Sequence, residues 1–313
     1  MKNILVTGGA GFIGSNLALE IQQRFPETSI VVIDDFRSAS FKNLVGFNGE
    51  VLAFDAAQKD WLAVFDDRPL DTIFHLASIT DTTFLDEKKM IFDNVEGFRN
   101  ILKLALAKKA DLVYSSSAGV YGSQDVPMKE GHAGKPNNVY GFSKWVMDQL
   151  ALEYGSKLKI VGLRYFNVFG PRENFKGPAA SMIYQLAQQM LAGRRPRVFK
   201  WGEQRRDFIY VKDVVEATLR AREAKRNTIV NVGTGQSTSF NEVIEILNEA
   251  FGTRLEPEYF DNPYDFYQNF TQADMSLTRR ELGFQVKFTT REGILDYVRN
   301  FLLPAAQAHP SPA

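Results

Sequence analysis

Short apolar runs alternate with longer amphipathic segments through the first half of the chain, and this order restricts the folds that it can adopt. The runs are rich in β-branched residues, as strands are, whereas the segments between them place apolar residues at helical spacing. Repeated alternation of strand and helix is typical of a parallel sheet with helices on both faces, so we predict an α/β fold with a doubly wound parallel sheet. The predicted strands are residues 4–7, 30–33, 51–54, 72–75, 112–115 and 160–164, and the predicted helices are residues 14–22, 90–107 and 140–154.

The pattern becomes less regular in the second half of the chain. Loops rich in Gly, Pro and Arg at residues 170–178 and 193–196 flank a predicted helix at 179–191, and another helix is predicted at 240–251. Such loops interrupt regular structure and turn the chain back on itself. We interpret this half as a smaller α/β lobe that closes over the carboxyl edge of the sheet and holds a substrate there.

The chain of 313 residues is longer than a typical single domain, so an α/β domain with an added lobe is expected. We predict that residues 1–169 form the domain with the sheet and that residues 170–303 form the smaller lobe. Residues 207–225 are expected to return to the larger domain. The tail at 304–313 is rich in Ala and Pro and is predicted to be disordered.

The composition argues against several classes of protein. Thirty-seven Lys and Arg residues balance 37 Asp and Glu residues, so charge provides no reason to expect a nucleic-acid or membrane partner. The absence of cysteine excludes disulfides, thiol nucleophiles and thiolate metal sites, and the three histidines form no pair at metal-ligand spacing. The first apolar run is too short for a signal peptide, and no apolar stretch reaches about 18 residues. We expect a cytoplasmic protein without a metal cofactor.

A glycine-rich loop, Thr7-Gly-Gly-Ala-Gly-Phe-Ile-Gly14, follows the first predicted strand and opens the first predicted helix. Its glycines allow a sharp turn, close approach of the backbone to a pyrophosphate, and tight packing of the helix on the sheet. The positive end of the helix dipole then faces the phosphate charge. The position of the loop therefore predicts a dinucleotide site, with contacts from Gly8, Gly11, Phe12, Ile13 and Gly14.

Acidic residues follow the second and third predicted strands. Asp34 and Asp35 lie about twenty residues beyond the glycine loop, where a carboxylate accepts hydrogen bonds from the adenosine ribose and favours NAD. Arg37 and Lys42 are cations that would favour NADP, so these residues leave the choice between NAD and NADP open. Asp55 is a candidate contact for the adenine edge or, equally, a turn residue before Ala57.

Polar residues also follow the fourth and fifth predicted strands. Leu76, Ala77 and Ser78 lie where backbone groups would line the nicotinamide-side ribose, whereas His75 is interpreted as a packed residue rather than a catalyst. Ser117 ends the fifth strand at the same edge of the sheet. Its hydroxyl could bind the oxygen of a reacting alcohol or ketone, or it could be an ordinary polar residue at a strand end.

Tyr140 and Lys144 are four residues apart in a predicted helix, so their side chains share one face. A nearby ammonium favours the phenolate and is expected to lower the pKa of the Tyr140 phenol, which would make it a usable base. The alternative is a surface tyrosine that rests on a lysine stem.

The glycine loop, Ser117, Tyr140 and Lys144, taken in this order, resemble the extended short-chain dehydrogenase/reductase family over residues 2–303. The resemblance implies a Rossmann-type sheet and a tightly bound nicotinamide cofactor, with NADP slightly favoured over NAD. It implies that Tyr140 is the base, that Lys144 holds the ribose hydroxyls, and that Ser117 orients the substrate oxygen. It adds Asn94 and Val168 as cofactor contacts.

Two features favour epimerases within this family. The motif Arg-Tyr-Phe-Asn-Val-x-Gly-Pro, which begins at Arg164, is shared across nucleotide-sugar epimerases. The 4,6-dehydratases carry an acidic pair where this chain has Ala118 and Gly119, which argues against dehydration. The expected partner is a nucleotide-diphosphate sugar, and family members tend to form homo-oligomers.

Pro-Arg-Glu-x-x-Lys-Gly followed by Ala-Ser, in residues 171–181, and the stretch 267–274 are similar to one branch of the family, the ADP-glycero-manno-heptose 6-epimerases of lipopolysaccharide precursor synthesis. This branch implies that Lys176 is a second acid/base residue opposite Tyr140. By residue type alone, Lys176 would be a solvated loop lysine. The substrate contacts implied by resemblance are Ser117, Asn167, Gln185, Phe199, Arg206 and Tyr267.

The expected reaction is inversion of C6 by transient oxidation to a ketone and return of the hydride to its opposite face. A carbon that bears only hydroxyl and hydrogen is too weak an acid for direct deprotonation, and two oxygen positions favour an acid/base residue on each side. The chain departs from the branch at Pro178, Gln185 and Lys200-Trp201, which leaves the nucleotide and sugar open. The alternatives are another epimerase, such as a UDP-sugar 4-epimerase, and a cofactor-sensing binding protein.

Overall fold

A computed structural model describes residues 2–82, 84–262 and 268–308. The described strands are β1 (Asn3–Thr7), β2 (Ser29–Asp34), β3 (Glu50–Ala53), β4 (Thr72–His75), β5 (Asp111–Ser117), β6 (Ile160–Tyr165), β7 (Asn167–Phe169), β8 (Arg197–Phe199), β9 (Arg205–Arg206), β10 (Phe208–Tyr210), β11 (Thr228–Val232), β12 (Thr238–Ser239) and β13 (Glu258–Phe260). Seven of these form one parallel sheet in the order β11-β6-β5-β4-β1-β2-β3. The predicted doubly wound parallel sheet is confirmed.

The segment 207–225, predicted to return to the larger domain, contains the helix Val211–Ala221, which packs against the helix Phe12–Arg24 and against β6. Strand β11 follows it and joins the sheet in parallel with β6. The run Thr-Ile-Val-Asn-Val in β11 is short and follows an irregular region, so its alternation with a helix is not visible in the sequence. The domain boundary at 169 and 170 stays a prediction.

The described helices surround this sheet and the smaller strand pairs. They are α1 (Phe12–Arg24), α2 (Glu87–Ile91), α3 (Gly97–Lys108), α4 (Val139–Tyr154), α5 (Met182–Leu191), α6 (Val211–Ala221), α7 (Phe240–Phe251), α8 (Ser276–Leu282), α9 (Thr290–Tyr297) and α10 (Leu303–Ala308). None of these helices has the length and apolar character that a membrane crossing requires.

Local hydrogen bonds explain several helix boundaries. Helix α4 begins where the Asn138 side chain accepts a hydrogen bond from the Gly141 N–H at 2.8 Å. Helix α5 begins three residues later than predicted because the Ser181 hydroxyl caps it, accepting from the Tyr184 N–H at 3.1 Å. The predicted helix at 90–107 is interrupted, since Phe92–Glu96 adopts π geometry between α2 and α3.

The carboxyl-terminal segment differs from the expectation of a disordered tail. Leu303–Ala308 forms helix α10, which continues the chain from a π-helical stretch at Val298–Leu302. Residues 309–313 lie outside the described residues. Ala and Gln are good helix formers, so the composition of the tail does not by itself indicate disorder.

Two apolar clusters cover the two faces of the sheet. Val6 and Val32 belong to one cluster, whereas their neighbours Leu5 and Ile33 belong to the other. Alternate strand residues point to opposite faces, so strands covered on both faces are apolar almost throughout. The polar groups are therefore concentrated beyond the ends of the strands, where the candidate site lies.

The smaller strands form three pairs beside the main sheet. Strands β7 and β10 are parallel, β8 and β13 are parallel, and β9 and β12 are antiparallel. These strands are too short to show a clear alternation, and the sequence did not predict them. Strand β9 positions Arg206, and the segment between β7 and α5 carries Lys176.

Candidate active site

A cavity of about 450 Å³ lies beyond the carboxyl ends of the central strands. Parallel α/β sheets bind ligands at this edge because the strand ends and helix amino termini converge there. The predicted site residues that line the cavity are Gly8, Gly11, Phe12, Ile13, Gly14, Asp34, Asp35, Arg37, Asp55, Leu76, Ala77, Ser78, Ser117, Tyr140, Lys144, Asn167, Val168, Lys176 and Arg206.

The glycine loop packs too closely on its surroundings to accept side chains at two positions. A Cβ atom at Gly8, which has φ +69°, would lie 2.6 Å from the Ala77 nitrogen, and one at Gly14 would lie 2.1 Å from the Gly8 oxygen. Gly11 precedes helix α1 and has no side chain that could cap the first N–H groups of the helix. The first residues of α1 line the cavity, so these N–H groups lie at its wall. This arrangement fits the pyrophosphate of a dinucleotide.

Asp34 holds the glycine loop against the end of β2. Its carboxylate accepts hydrogen bonds from the Ala10 N–H at 3.0 Å and the Phe36 N–H at 2.9 Å. Asp55 accepts a hydrogen bond from the Ala57 N–H at 2.9 Å, as expected of the turn residue proposed for it. It also pairs with Arg37, so it has a second role at the cavity wall.

Arg37 forms ion pairs with three carboxylates at the cavity wall. Its guanidinium lies 2.7 Å from Asp55 and also pairs with Asp35 and Asp93. Burial opposes the charge, but the carboxylates raise the pKa of Arg37 above its ordinary value. Three negative groups thus surround one positive group.

Lys144 is buried at the centre of the site, with 1% of its surface exposed. Its ammonium donates hydrogen bonds to the Ser78 hydroxyl at 2.5 Å and to the Ser115 carbonyl at 2.8 Å. Burial lowers the pKa of Lys144 to about 7, and the charge of Asp148 opposes this change. The amine is therefore fixed between β4, β5 and α4.

The pKa of Tyr140 shifts in the direction opposite to the expectation. Burial raises the pKa of its phenol, and a hydrogen bond with Ser117 opposes the rise. The expected lowering by Lys144 is wrong for the protein chain by itself, because the ammonium lies 6.0 Å from the centroid of the tyrosine ring and is bound by Ser78 and Ser115. Tyr140 is thus a proton donor at neutral pH.

Lys176 extends from the segment between β7 and α5 to the same cavity. Its Nζ lies 5.7 Å from the centroid of the Phe12 ring, beside the glycine loop. Burial lowers the pKa of Lys176, and the charge of Glu173 opposes the change. The lowered pKa makes the amine easier to deprotonate than that of an ordinary solvated lysine, which suits a group that exchanges protons.

Asn94 and His75 lie behind the cavity wall. The Asn94 side chain accepts a hydrogen bond from the Ile79 N–H at 2.8 Å and donates to the Ile79 carbonyl at 3.1 Å, so it holds the segment that follows β4. His75 is bound to the Thr7 hydroxyl at 2.8 Å and stacks on Phe98. Burial lowers the pKa of His75 to about 3, which is consistent with its interpretation as a packed residue.

Two predicted substrate contacts, Gln185 and Phe199, do not line the cavity. The Gln185 side chain donates hydrogen bonds to the Pro178 and Ala180 carbonyls, at 3.0 and 2.9 Å. The Phe199 ring packs edge-to-face against Phe260, with centroids 4.9 Å apart. A third predicted contact, Tyr267, lies outside the described residues. The assignment of these three residues as substrate contacts stays a prediction.

Comparison with known proteins gives the family. The family model of the NAD dependent epimerase/dehydratase family matches residues 4–233. The chain belongs to this family. Its membership confirms the predicted resemblance and the prediction of a nucleotide-sugar epimerase that depends on a nicotinamide cofactor.

Solved structures similar to this epimerase cover almost its whole length. The Helicobacter pylori ADP-L-glycero-D-manno-heptose-6-epimerase is 41% identical, with a TM-score of 0.91, 98% of this chain covered and 96% of the other. The Thermotoga maritima UDP-glucose 4-epimerase with UDP-glucose is 29% identical, with a TM-score of 0.90 and coverage of 97% and 99%. The Stenotrophomonas maltophila UDP-glucose-4-epimerase, with bound NAD and formylated UDP-arabinopyranose, is 26% identical, with a TM-score of 0.88 and coverage of 98% and 100%.

Several residues of the epimerase cavity were not predicted from the sequence. They include Ile79, Thr80, Asp93, Tyr165, Phe166, Ser181, Met182, Phe208 and Phe240. Phe166 and Ser181 lie inside motifs that had been recognised, so their neighbours provided a signal. Phe208 and Phe240 come from separate elements and reach the cavity only through packing, which the sequence does not display.

A buried ion pair supports the epimerase site from behind. Arg164 Nε lies 3.0 Å from the Asp148 carboxylate, and the two side chains are 6% and 0% exposed. Asp148 also accepts a hydrogen bond from the Tyr114 hydroxyl at 2.8 Å, and it lies one helical turn beyond Lys144. This pair joins β6 to the helix that carries Tyr140 and Lys144.

Replacing Arg164 with Met is expected to lower the free energy of unfolding by about 3–5 kcal/mol, because it leaves the Asp148 carboxylate buried without its cation. Chemical denaturation of both proteins would measure the loss. Arg68→Met, which removes an exposed pair with Glu50, should cost no more than about 1 kcal/mol. Equal losses in the two variants would contradict a structural role for the buried pair.

Proposed function

We propose that this protein inverts C6 of an ADP-linked glycero-manno-heptose. Family membership and structural similarity support the broader assignment, a nucleotide-sugar epimerase. The observation that carries the finer proposal is the position of Lys176, which lines the same cavity as Ser117, Tyr140 and Lys144. The higher identity to the heptose epimerase, 41% against 29% and 26% for the two UDP-sugar enzymes, supports the same choice.

The residues of the cavity fit a nicotinamide dinucleotide. The glycine loop would hold the pyrophosphate, Asp35 the adenosine ribose, and Lys144 with Ser78 the second ribose. When bound, the nicotinamide supplies the reversible oxidation of an alcohol to a ketone. The donors and the close-packed glycines are already in place in the protein chain.

Tyr140 and Lys176 divide the proton transfers between two sides of the substrate carbon. In the proposed reaction, Ser117 binds the reacting oxygen while it lies on the Tyr140 side, and Lys176 meets the oxygen after inversion places it differently. In each turnover one of these two residues starts without its proton and accepts the hydroxyl proton as the ketone forms. The other starts with its proton and donates it to the oxygen when the hydride returns. Lys144 does not serve as the second base, because its ammonium is bound between Ser78 and Ser115.

The test is conversion of ADP-D-glycero-D-manno-heptose by the purified protein without added cofactor, followed by NMR of the sugar. We expect inversion at C6 without net oxidation. A UDP-glucose sample tests the alternative of a 4-epimerase. The TM-score of 0.90 to the Thermotoga maritima UDP-glucose 4-epimerase supports this alternative. Conversion of UDP-glucose alone would reject the heptose proposal, and bound cofactor without turnover of either sugar would favour a sensing protein.

We also propose that the bound cofactor is NAD, although the resemblance slightly favoured NADP. The three carboxylates around Arg37 support this choice, since a 2′-phosphate would bring further negative charge beside them. The family is NAD-dependent, and the Stenotrophomonas maltophila structure contains NAD. Arg37 is already paired with carboxylates and would have to exchange them for the phosphate.

Cofactor released by denaturing the purified protein is expected to be NAD, as identified by mass spectrometry. The affinity for NAD should exceed that for NADP by at least about ten-fold, and Asp35→Asn should reduce this ratio. The asparagine oxygen can still accept the bond that Asp35 takes from the Arg37 N–H. Asp111→Asn is the matched control, because Asp111 lies at the amino-terminal end of β5, at the other end of the strands from the cavity. Release of NADP alone would contradict the proposal.

A further inference from the structure

Glu173 closes the segment that carries Lys176. Its carboxylate accepts hydrogen bonds from the Gly170 N–H at 2.9 Å, the Ser181 N–H at 2.6 Å and the Ser181 hydroxyl at 3.0 Å. Gly170 and Ser181 are the two ends of this segment, which we call the 170–181 loop. One buried side chain, 0% exposed, therefore joins both ends of the loop.

The first residues of the 170–181 loop are also attached to the dinucleotide site. Asn16 in α1 donates to the Pro171 carbonyl at 2.9 Å and accepts from the Arg172 guanidinium at 3.0 Å. Asn43 donates to the Arg172 carbonyl at 3.2 Å and to the Ala10 carbonyl in the glycine loop at 3.0 Å. The start of the loop is thus fixed to the glycine loop, whereas its far end depends on Glu173 and Ser181.

The middle of the loop has little packing of its own. Asn174–Ala179 forms 3₁₀ turns that contain no buried residue, and Gly177 at φ +56° interrupts their helical geometry. A stretch without buried side chains does not hold one conformation by hydrophobic packing. The position of Lys176 in this stretch is therefore determined at the two ends that Glu173 connects.

Resting on the proposed function, we propose that Glu173 is a positioning residue, which joins both ends of the 170–181 loop and so holds Lys176 at the cavity during epimerisation. An ionised carboxylate is an acceptor only, and the groups that face it are donors: two N–H groups, the Ser181 hydroxyl and the Tyr297 phenol. A glutamine at this position would direct its own N–H group at one of those donors.

The hydrogen-bond donors and the lysine around Glu173 favour its ionised form, whereas burial disfavours it. Burial raises the pKa of Glu173 to about 7, and its hydrogen bonds together with Lys176 oppose the rise. Tyr184 and Tyr297 face it as neutral phenols, and burial is the main cause of the raised pKa of both. Ionised Glu173 in turn raises the pKa of Lys176 against the effect of burial. Loss of the carboxylate should therefore lower the pKa of Lys176 further.

The kinetic experiment compares Glu173→Gln, Glu173→Asp and Asp213→Asn. Asp213 is the matched control, since it is 1% exposed and its carboxylate also binds two backbone N–H groups, of Lys287 and Phe288, each at 3.0 Å. We expect Glu173→Gln to lower kcat about 100-fold with little change in KM, because a small displacement of an acid/base group has an effect of this size. Glu173→Asp should retain more activity than Glu173→Gln, since it keeps the carboxylate.

A second measurement does not require turnover. Reductive methylation with ¹³C-labelled formaldehyde gives one NMR signal for each lysine, and Lys176→Arg identifies the signal of Lys176. We expect Glu173→Gln to lower the pKa measured for Lys176 by about one unit, whereas Asp213→Asn should leave it unchanged.

The outcomes separate the two proposals. If wild-type protein does not convert the heptose but the Lys176 signal responds to Glu173→Gln, the proposed function fails and the positioning role stands. If Glu173→Gln leaves both kcat and the pKa of Lys176 at the values of the Asp213→Asn control, the positioning role is overturned. The Glu173→Asp protein provides the same comparison if Glu173→Gln does not fold.

Discussion

Replacing Tyr140 with Phe is expected to lower kcat for epimerisation by about 10²–10⁴-fold, the usual contribution of a general acid/base group. The substitution removes only the hydroxyl that lies beside Ser117 in the cavity. The ring remains, and the hydrogen bonds of Lys144 to Ser78 and Ser115 do not involve Tyr140. We therefore expect the variant to fold and to retain its cofactor.

Steady-state kinetics of Tyr140→Phe should be measured together with the amount of bound cofactor. Tyr154→Phe is the matched control, because Tyr154 ends the same helix, α4, and does not line the cavity. Its kcat should remain close to that of the wild type. If Tyr140→Phe kept full activity, the proton would have to be transferred by another group, and Ser117 would be the first to examine.

Replacing Lys176 with Met is expected to lower kcat for inversion of the heptose by a similar factor, about 10²–10⁴-fold. Met keeps the unbranched apolar stem of the side chain. The substitution removes the proton-exchanging amine together with its contact with the Phe12 ring. The melting temperature and bound cofactor should change little, since the hydrogen bonds that fix the loop belong to Glu173, Asn16 and Asn43.

Lys176→Met also distinguishes the two epimerase proposals. A 4-epimerase that uses Tyr140 alone would keep its turnover of UDP-glucose after this change. Lys103→Met is the control, because Lys103 is an exposed lysine of α3 that does not line the cavity. Unchanged conversion of the heptose by Lys176→Met would reject the mechanism with two acid/base residues.

The elements that the sequence predicted best are those whose signal lies within one short segment. The strand at 72–75 and the helix at 240–251 have the predicted bounds, because burial on both faces or on one face produces a local pattern of apolar residues. The π stretch Phe92–Glu96 and the late start of α5 were not predicted. The start of α5 depends on the cap formed by the Ser181 side chain, and the apolar periodicity encodes neither this cap nor a π stretch within a helix.

In the candidate site, too, the sequence predicted the local features but not those that depend on tertiary contacts. The glycine loop and the spacing of Tyr140 and Lys144 were visible because each is a local pattern on one turn or one helix. The direction of the pKa shift of Tyr140 was wrong because it depends on burial and on the partners of Lys144, which come from β5 and from the segment that follows β4. The charge balance around Arg37 likewise arises from three separate segments.

The sequence by itself determined the alternation of strands and helices, the dinucleotide loop and the type of chemistry that a tyrosine and a lysine on one helical face can perform. Only the tertiary structure decided that Lys176 shares the cavity with Tyr140, that β11 completes the sheet, and that Gln185 and Phe199 lie elsewhere. The physical reason is range: propensity and periodicity act between neighbours in the chain, whereas the environment of a side chain is set by packing between distant segments.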